Sequence, residues 1–320
     1  MNGKKNNNKI VFITFLCVFI LFFAFLYLFS KSKEILVENR NNIINTDFRT
    51  IKLFIVGDLM LDRNVRNIID KNSFDDFFSG IKDIIKDSDV SVANLEGPFT
   101  PYPSITSSLK NKTLQFTFDP SLSVALSELG FDILGLANNH TLNFGYNGLE
   151  MTRRYIGSSG MLYYGDPNNK DEISTIIVKN NIKIGFIGFN EFSYSNFDKV
   201  FYEISRLRQE VDVLIVNPHW GIEYEKKPTK KQIELAHEFI DIGADAVIGT
   251  HSHIVGDTEE YNGKKIFYSL GNFVFDQYFS DDTMKGLGIL LSISKSKNRI
   301  NLDYSEIPII VDNKGVRLDI

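Results

Sequence analysis

The sequence is poor in cysteine and lacks a strongly basic region, and both features exclude kinds of site. Its 320 residues include one cysteine, Cys17, so the chain can form neither an intramolecular disulfide nor a zinc site built from cysteines. Because Cys17 lies in the most apolar segment, we expect no catalytic thiol chemistry. The formal net charge is -5 and no basic stripe stands out, so we expect no nucleic-acid binding.

Charged residues are absent from Ile10–Phe29, the longest apolar run. A run of about 20 apolar residues is the length that one helix needs to cross a bilayer. Lys4, Lys5 and Lys9 precede it, which favours a cytoplasmic N-terminus at residues 1–9. A cleavable signal peptide is the alternative, but the end of the run does not resemble an Ala-x-Ala cleavage site. We therefore predict an uncleaved single-pass anchor at residues 10–29 in the cell membrane, with the C-terminal domain outside the cytoplasm.

Strand and helix patterns alternate along the rest of the chain. Residues 30–50 are polar and rich in asparagine and are predicted to be a tether, whereas residues 51–320 are predicted to form one domain. The run Ile51–Val56 is typical of a buried strand, and the apolar spacing over Phe74–Ile85 predicts an amphipathic helix. A capping box, Thr229-x-x-Gln232, predicts the start of another helix. The alternation indicates an α/β fold with much parallel strand pairing.

Potential metal ligands follow the predicted strands. In open α/β sheets, ligands bind beyond the carboxyl ends of the strands. Four of the five histidines, two carboxylates and one asparagine occupy such positions: Asp58, Glu96, Asn139, His140, His219, His251 and His253. The fifth histidine, His237, lies within a predicted helix and is interpreted as structural. A mixed set of oxygen and nitrogen ligands suits Mn, Zn or Fe, and two such ions about 3.5–4 Å apart can clamp a phosphoryl group.

The pair His251 and His253 follows the short apolar run Ala246–Ile248. On an extended loop beyond a strand, both imidazoles can reach one site, and neutral imidazole is a common metal ligand. Two solvated loop histidines are the alternative interpretation of an isolated His-x-His. Because the other histidines also follow strands, we favour a shared site, and we expect the two rings to serve different ions on either side of Glu96.

Six motifs in a fixed order carry a resemblance to a known family. They are Gly57-Asp58, Asn94-Leu95-Glu96-Gly97, Asn138-Asn139-His140, His219-Trp220-Gly221-x-Glu223-Tyr224, Gly249-x-His251-x-His253 and Ser269-Leu270-Gly271-Asn272-Phe273. Over residues 51–276 the chain resembles the bacterial capsule synthesis protein CapA family, the poly-γ-glutamate synthesis group. That family is similar in fold to the calcineurin-like metallophosphoesterases. The resemblance therefore implies an αββα sandwich of two mixed sheets flanked by helices.

The resemblance also implies roles for individual residues and two divalent ions as cofactors. The mixed ligand set limits the identity of these ions to Mn, Zn or Fe. One ion would be held by Asp58, Glu96 and His253, with Glu96 bridging to a second ion held by Asn139, His219 and His251. His140 would be the general acid. Four further residues would contact the substrate or hold the ligands in place: Trp220, Glu223, Tyr224 and Asn272.

Two positions depart from the metallophosphoesterase pattern. The usual Asp-x-His is Asp58-Leu59-Met60 here, and Glu96 stands where the pattern has a bridging aspartate. Losing an imidazole is expected to weaken the first metal site.

Three functions are consistent with these features. The first is a membrane-anchored protein in the synthesis, export or attachment of an anionic polymer such as poly-γ-glutamate, with an amide ligase and a polytopic membrane subunit as expected partners. The second is a free-standing hydrolase of a phosphoester or an amide in cell-surface material. The third is a non-catalytic module that binds the polymer.

Overall fold

The computed structural model describes Cys17 and residues 19–35, 48–106, 113–193, 196–297 and 299–319. The chain divides into two units, residues 1–49 with 296–298 and residues 50–295 with 299–320. Residues 19–35 are helical, and no helix in the described ranges has both the length and the apolar character that crossing a bilayer requires. Residues 10–16 and 18 of the predicted anchor, like residues 36–47 of the predicted tether, lie outside the described residues. The anchor therefore stays a prediction.

Within the described ranges, fourteen strands form two mixed sheets. The strands are β1 (Phe48–Leu59), β2 (Val90–Leu95), β3 (Ile133–Gly135), β4 (Leu162–Tyr164), β5 (Ser174–Lys179), β6 (Ile182–Asn190), β7 (Val213–His219), β8 (Ala246–Ile248), β9 (Thr258–Tyr261), β10 (Lys264–Phe267), β11 (Asn272–Val274), β12 (Lys285–Ser296), β13 (Arg299–Asp312) and β14 (Gly315–Leu318). One sheet has the order β14-β13-β12-β1-β2-β3-β4, with β11 also paired to β1, and the other has the order β5-β6-β7-β8-β10-β9. The central pairs β1–β2 and β7–β8 are parallel, whereas the outer pairs β13–β14 and β9–β10 are antiparallel. The predicted α/β class with two mixed sheets is confirmed.

Seven further helices lie among the described residues beside these strands. They are α1 (Arg63–Asn72), α2 (Phe74–Phe78), α3 (Lys82–Lys86), α4 (Ser121–Leu129), α5 (Gly145–Ser158), α6 (Phe197–Arg208) and α7 (Lys230–Ile242). Helix α7 begins with the predicted capping box, in which the Gln232 backbone N–H donates to Thr229 Oγ1 at 3.2 Å and the Thr229 N–H donates to Gln232 Oε1 at 2.9 Å. The predicted capping box at the start of this helix is confirmed.

Alternating side chains of the strands explain the layers of the fold. In β1, Leu53 and Ile55 join a core between the two sheets, whereas Phe54 and Val56 join a core shared with helices α1 to α5. A third core packs α6 and α7 against the outer face of the second sheet. The order of layers is therefore helix, sheet, sheet, helix.

The predicted helix over Phe74–Ile85 is wrong, because two short helices, α2 and α3, occupy that segment. Gly80 lies between them and forms a bridge with the backbone of Arg317. A Cβ at Gly80 would lie 2.5 Å from the Cβ of Arg317, so the chain comes too close to β14 there for any larger residue. This contact with a distant part of the chain interrupts the helix.

Candidate metal centre

Asp58, Glu96 and His253 lie together where strands of both sheets end. Asp58 is the next-to-last residue of β1, Glu96 directly follows β2, and His253 lies in the loop after β8. One ligand atom from each lies within 4.8 Å of the others, and all three residues are buried. The Nδ1 of His253 is 3.3 Å from Asp58 Oδ2, and its Nε2 is 3.8 Å from Glu96 Oε1. Two carboxylates and an imidazole therefore converge on one small volume.

The carboxylate of Glu96 is the clearest sign that this volume suits a cation. Both of its oxygens are buried, and neither has a hydrogen-bond partner among the described residues. Burying a carboxylate without partners is costly. Burial, followed by the nearby negative charge of Asp58, raises the pKa of Glu96 well above its ordinary value. A divalent ion would supply the missing partner, and the carboxylate and imidazole donors fit Mn, Zn or Fe.

A second group of donors, Asn139, His219 and His251, lies beside the first. The Nε2 of His219 is 2.9 Å from Asn139 Oδ1 and 3.1 Å from His251 Nδ1. Two ring nitrogens can lie this close when one carries a hydrogen that the other accepts, or when both bind the same cation. The group is joined to the first one by Asp58, whose Oδ1 is 3.9 Å from His219 Nδ1.

Burial keeps the imidazoles of the second group neutral. It is the main cause that lowers the pKa of His219 well below its ordinary value, and the neighbouring His251 adds to it. Burial, together with His253, lowers the pKa of His251 to about 3. Near neutral pH both rings are therefore in the neutral form that binds metal ions.

The loop that carries His251 and His253 is bent, which corrects the expectation of an extended loop. Both residues have a left-handed backbone, with φ of 99° and 58° respectively. The His251 backbone N–H donates to Asp58 Oδ2 at 3.2 Å, and the Ser252 carbonyl accepts from the Tyr224 N–H at 2.7 Å. The bends direct His251 to His219 and His253 to Asp58, with 5.9 Å between the two ring centroids. A positive φ is unfavourable for a residue other than glycine, so these contacts hold the loop in a strained conformation.

Buried asparagines hold the ligands in place. Asn94 donates to Asp58 Oδ1 at 2.7 Å, and Asn138 in turn donates to Asn94 Oδ1 at 3.1 Å. Asn272, which pairs with Asp58 in the β1–β11 register, places its Oδ1 3.0 Å from His253 Nδ1. Such partners orient metal-binding side chains. The roles of Asn94 and Asn138 were missed, although each lies in a quoted motif within two residues of a predicted ligand.

His140 faces the first group of donors. Its Nε2 is 3.8 Å from Glu96 Oε1, and its side chain is 11% exposed. Burial lowers the pKa of His140, against the opposing effect of hydrogen bonds with Asn143 and the Leu114 backbone. The structure thus brings together all seven predicted ligand and catalytic residues, while the role of each in chemistry stays a prediction.

Trp220 does not line the site, which corrects the part of its expected role that involved substrate contact. It is fully buried, stacks on Phe239, and donates its indole N–H to the Tyr268 carbonyl at 2.9 Å. A Cβ at Gly249 would lie 2.6 Å from the Trp220 Nε1. The indole therefore packs against the start of the histidine loop and supports it from the core.

Glu223 and Tyr224 lie on the solvent side of the centre. Both are exposed, and the Tyr224 ring centroid is 6.2 Å from that of His253. The Tyr224 hydroxyl accepts a hydrogen bond from Gln277 Nε2 at 3.2 Å. Partial burial, with the charge of Glu223, raises the pKa of Tyr224 to about 12. Their expected contact with a substrate stays a prediction.

Met60 shows what replaces the histidine of the metallophosphoesterase pattern. It is fully buried in the core shared with the helices, and its Sδ accepts a hydrogen bond from the Asp62 N–H at 3.1 Å. The residue at this position therefore supplies no imidazole nitrogen to the centre, and its thioether faces the core instead.

Comparison with known proteins identifies a matching family and several relatives, two of which are CapA proteins of Bacillus. The model of the family described as "Bacterial capsule synthesis protein PGA_cap" matches residues 52–277. The chain is 32% identical over 292 residues to the PGA biosynthesis protein CapA of Bacillus subtilis (strain 168), covering 86% of this chain and 74% of that protein. It is 28% identical over 294 residues to the capsule biosynthesis protein CapA of Bacillus anthracis, covering 86% of this chain and 70% of that protein.

Solved structures resemble the fold at low sequence identity. A novel phosphatase from Mycoplasma pneumoniae has a TM-score of 0.51 and 16% identity, covering 82% of this chain and 94% of its own. A hypothetical protein from Thermus thermophilus has a TM-score of 0.50 and 18% identity, covering 80% of this chain and 99% of its own. At these identities the likeness shows the fold alone, and it confirms the expected metallophosphoesterase-like architecture.

Proposed function

Because this chain belongs to the bacterial capsule synthesis protein family PGA_cap, we propose that it acts in the synthesis, export or attachment of an anionic capsule polymer such as poly-γ-glutamate. In this proposal the predicted anchor holds the domain at the outer face of the cell membrane. An amide ligase and a polytopic membrane subunit are the proposed partners. The names of the two Bacillus relatives support the process, and the ligand set supports a metal-dependent role in it.

The observation that carries the metal-dependent role is the buried Glu96 carboxylate, which has no hydrogen-bond partner among the described residues. Asp58, Glu96 and His253 would hold one ion, and Asn139, His219 and His251 would hold another. When bound, such ions supply Lewis acidity toward a phosphoryl or carbonyl oxygen. The protein itself keeps the imidazoles neutral, orients them through buried asparagines, and leaves Tyr224 at the solvent side to meet the polymer.

Complementation of a deletion strain tests this function. Surface polymer should be lost on deletion and restored by the wild-type gene but not by Glu96→Gln, which keeps the size of the side chain and removes its charge. Glu128→Gln is the matched control, because Glu128 lies exposed on α4. Unchanged surface polymer after deletion, or full restoration by Glu96→Gln, would contradict the proposal.

A second candidate function is hydrolysis of a phosphoester or amide bond in cell-surface material. It is favoured by His140, whose Nε2 faces the donor group at 3.8 Å from Glu96 and can exchange a proton with a bound substrate. The purified full-length chain, supplied with Mn, Zn or Fe(II), should turn over an aryl phosphate or a γ-linked glutamyl peptide. His140→Ala should abolish turnover and retain the metal. Absence of turnover with every ion and both substrates would leave the polymer-handling role alone.

A further inference from the structure

Asn143 contacts the nitrogen of His140 that is not turned toward Glu96. Its Oδ1 lies 3.2 Å from His140 Nδ1, and the same oxygen accepts a hydrogen bond from the Phe116 backbone N–H at 2.7 Å. The Asn143 carbonyl also accepts from the Gln115 side chain at 2.7 Å. Asn143 is therefore held through both its side chain and its main chain by the segment that contains Gln115 and Phe116.

The contact with Phe116 decides which nitrogen of His140 carries a hydrogen. A backbone N–H can only donate, so the Asn143 atom beside it must be the amide oxygen and not the amide nitrogen. An amide oxygen can only accept, so the His140 nitrogen beside it must be a donor. Nδ1 therefore carries a hydrogen whether the ring is neutral or charged.

We propose that Asn143 is a positioning residue that fixes the Nδ1–H form of His140 and thereby makes Nε2 the one ring nitrogen that exchanges a proton at the metal centre. Phe116 completes the arrangement, because its ring packs on the imidazole at 4.5 Å between centroids. The hydrogen-bond partner of an imidazole nitrogen generally determines what the other nitrogen can do. The catalytic consequence rests on the proposed hydrolytic function, whereas the position of the hydrogen does not.

Two substitutions separate the hydrogen bond from the size of the side chain. Asn143→Asp retains an oxygen that can accept from both the Phe116 N–H and His140 Nδ1. Asn143→Leu has a similar size and no acceptor. Asn147→Leu is the matched control, because Asn147 is an exposed asparagine of α5 whose amide donates to the Tyr102 hydroxyl at 3.3 Å.

The position of the hydrogen can be measured without metal. Nitrogen chemical shifts of the His140 ring are recorded by NMR on the isotope-labelled full-length chain after treatment with chelator, at mildly alkaline pH, with His140→Ala used for assignment. Wild type, Asn143→Asp and Asn147→Leu should show a protonated Nδ1 and an unprotonated Nε2, and Asn143→Leu should lose this pattern. A protonated Nε2 in the neutral wild-type ring, or the wild-type pattern in folded Asn143→Leu, would overturn the proposal. If Asn143→Leu does not fold, the wild-type and Asn143→Asp spectra decide.

Kinetics then test the consequence for catalysis. If the metal-loaded chain hydrolyses a substrate, Asn143→Leu should lower kcat by about 10- to 100-fold, the usual effect of removing a residue that orients a functional group, with KM little changed. Asn143→Asp should recover most of the rate, and Asn147→Leu should not alter it. Equal rates in Asn143→Leu and wild type would refute the positioning role. Absence of hydrolysis by the wild type would instead refute the hydrolytic function and leave the NMR result standing.

Discussion

Replacing Glu96 by glutamine should make the protein more stable without metal and less stable with it. The carboxylate is buried with no hydrogen-bond partner among the described residues, and a buried group left unsatisfied costs about 1–3 kcal/mol, more when it is charged. Glutamine still buries a polar amide, so only the additional cost of the charge is removed, and the metal-free protein should be stabilised by about 1 kcal/mol or more. For a domain of this size each kcal/mol raises the Tm by about 2–4 °C. Calorimetry of chelator-treated wild type and Glu96→Gln measures the difference.

Addition of metal should reverse the order of the two proteins. An ion present at about 1,000 times its Kd stabilises the folded state by about 4.1 kcal/mol. Glu96→Gln should lose most of this gain, which is larger than the stability that it gains without metal. The dependence of stability on pH follows from the raised pKa of Glu96. A carboxyl group that binds its proton more tightly in the folded state destabilises that state once the pH exceeds its unfolded pKa, which is about 4.3. The advantage of metal-free Glu96→Gln should thus be largest near neutral pH and small near the unfolded pKa. A metal-free Glu96→Gln less stable than wild type, with Glu128→Gln unchanged, would show that the buried Glu96 carboxylate does not destabilise the metal-free protein.

Two pairs of substitutions test the separation of the donor groups and the break between α2 and α3. His253→Ala should leave one metal ion, held by Asn139, His219 and His251. His251→Ala should leave little metal, because the other group already has Met60 in place of a histidine. The metal content of both variants is measured after identical dialysis, and an equal loss would mean that the two groups share one ion. Gly80→Ala should destabilise the protein by about 1–3 kcal/mol, because its Cβ would meet Arg317 at 2.5 Å. Gly157→Ala, where a Cβ meets nothing within 4 Å in helix α5, should instead stabilise by about 0.5–1 kcal/mol, and urea unfolding that gave both variants the same sign would contradict this account.

Local patterns predicted much of the fold because the forces behind them are local. The capping box at Thr229 needs only residues within one turn of helix, and the run Ala246–Ile248 is buried as the pattern indicates. The break at Gly80 was missed because it is imposed by Arg317, which is far away along the chain. A periodic apolar pattern continues across Gly80 and carries no sign of that contact.

In the candidate metal centre, too, the features that depend on local sequence could be predicted and those that depend on distant contacts could not. Its ligands could be predicted because they follow the carboxyl ends of strands, where ligands of α/β sheets bind. The bend at His251 and His253 could not, since it depends on hydrogen bonds with Asp58 and Tyr224 from other parts of the chain. The bond between Asn143 and His140 also escaped prediction, because Phe116 determines its direction and lies in a separate loop.

Calorimetric titration with Mn²⁺ and Zn²⁺ tests whether the donor groups around Glu96 bind a divalent ion. It is performed on the chelator-treated full-length chain, as wild type and as Glu96→Gln. The wild type should bind these ions saturably, and the affinity of Glu96→Gln should be lower by more than about 10-fold, since even partners of metal ligands contribute that much. Binding of neither ion by the wild type, or equal affinity in the two proteins, would contradict the proposed metal-dependent role.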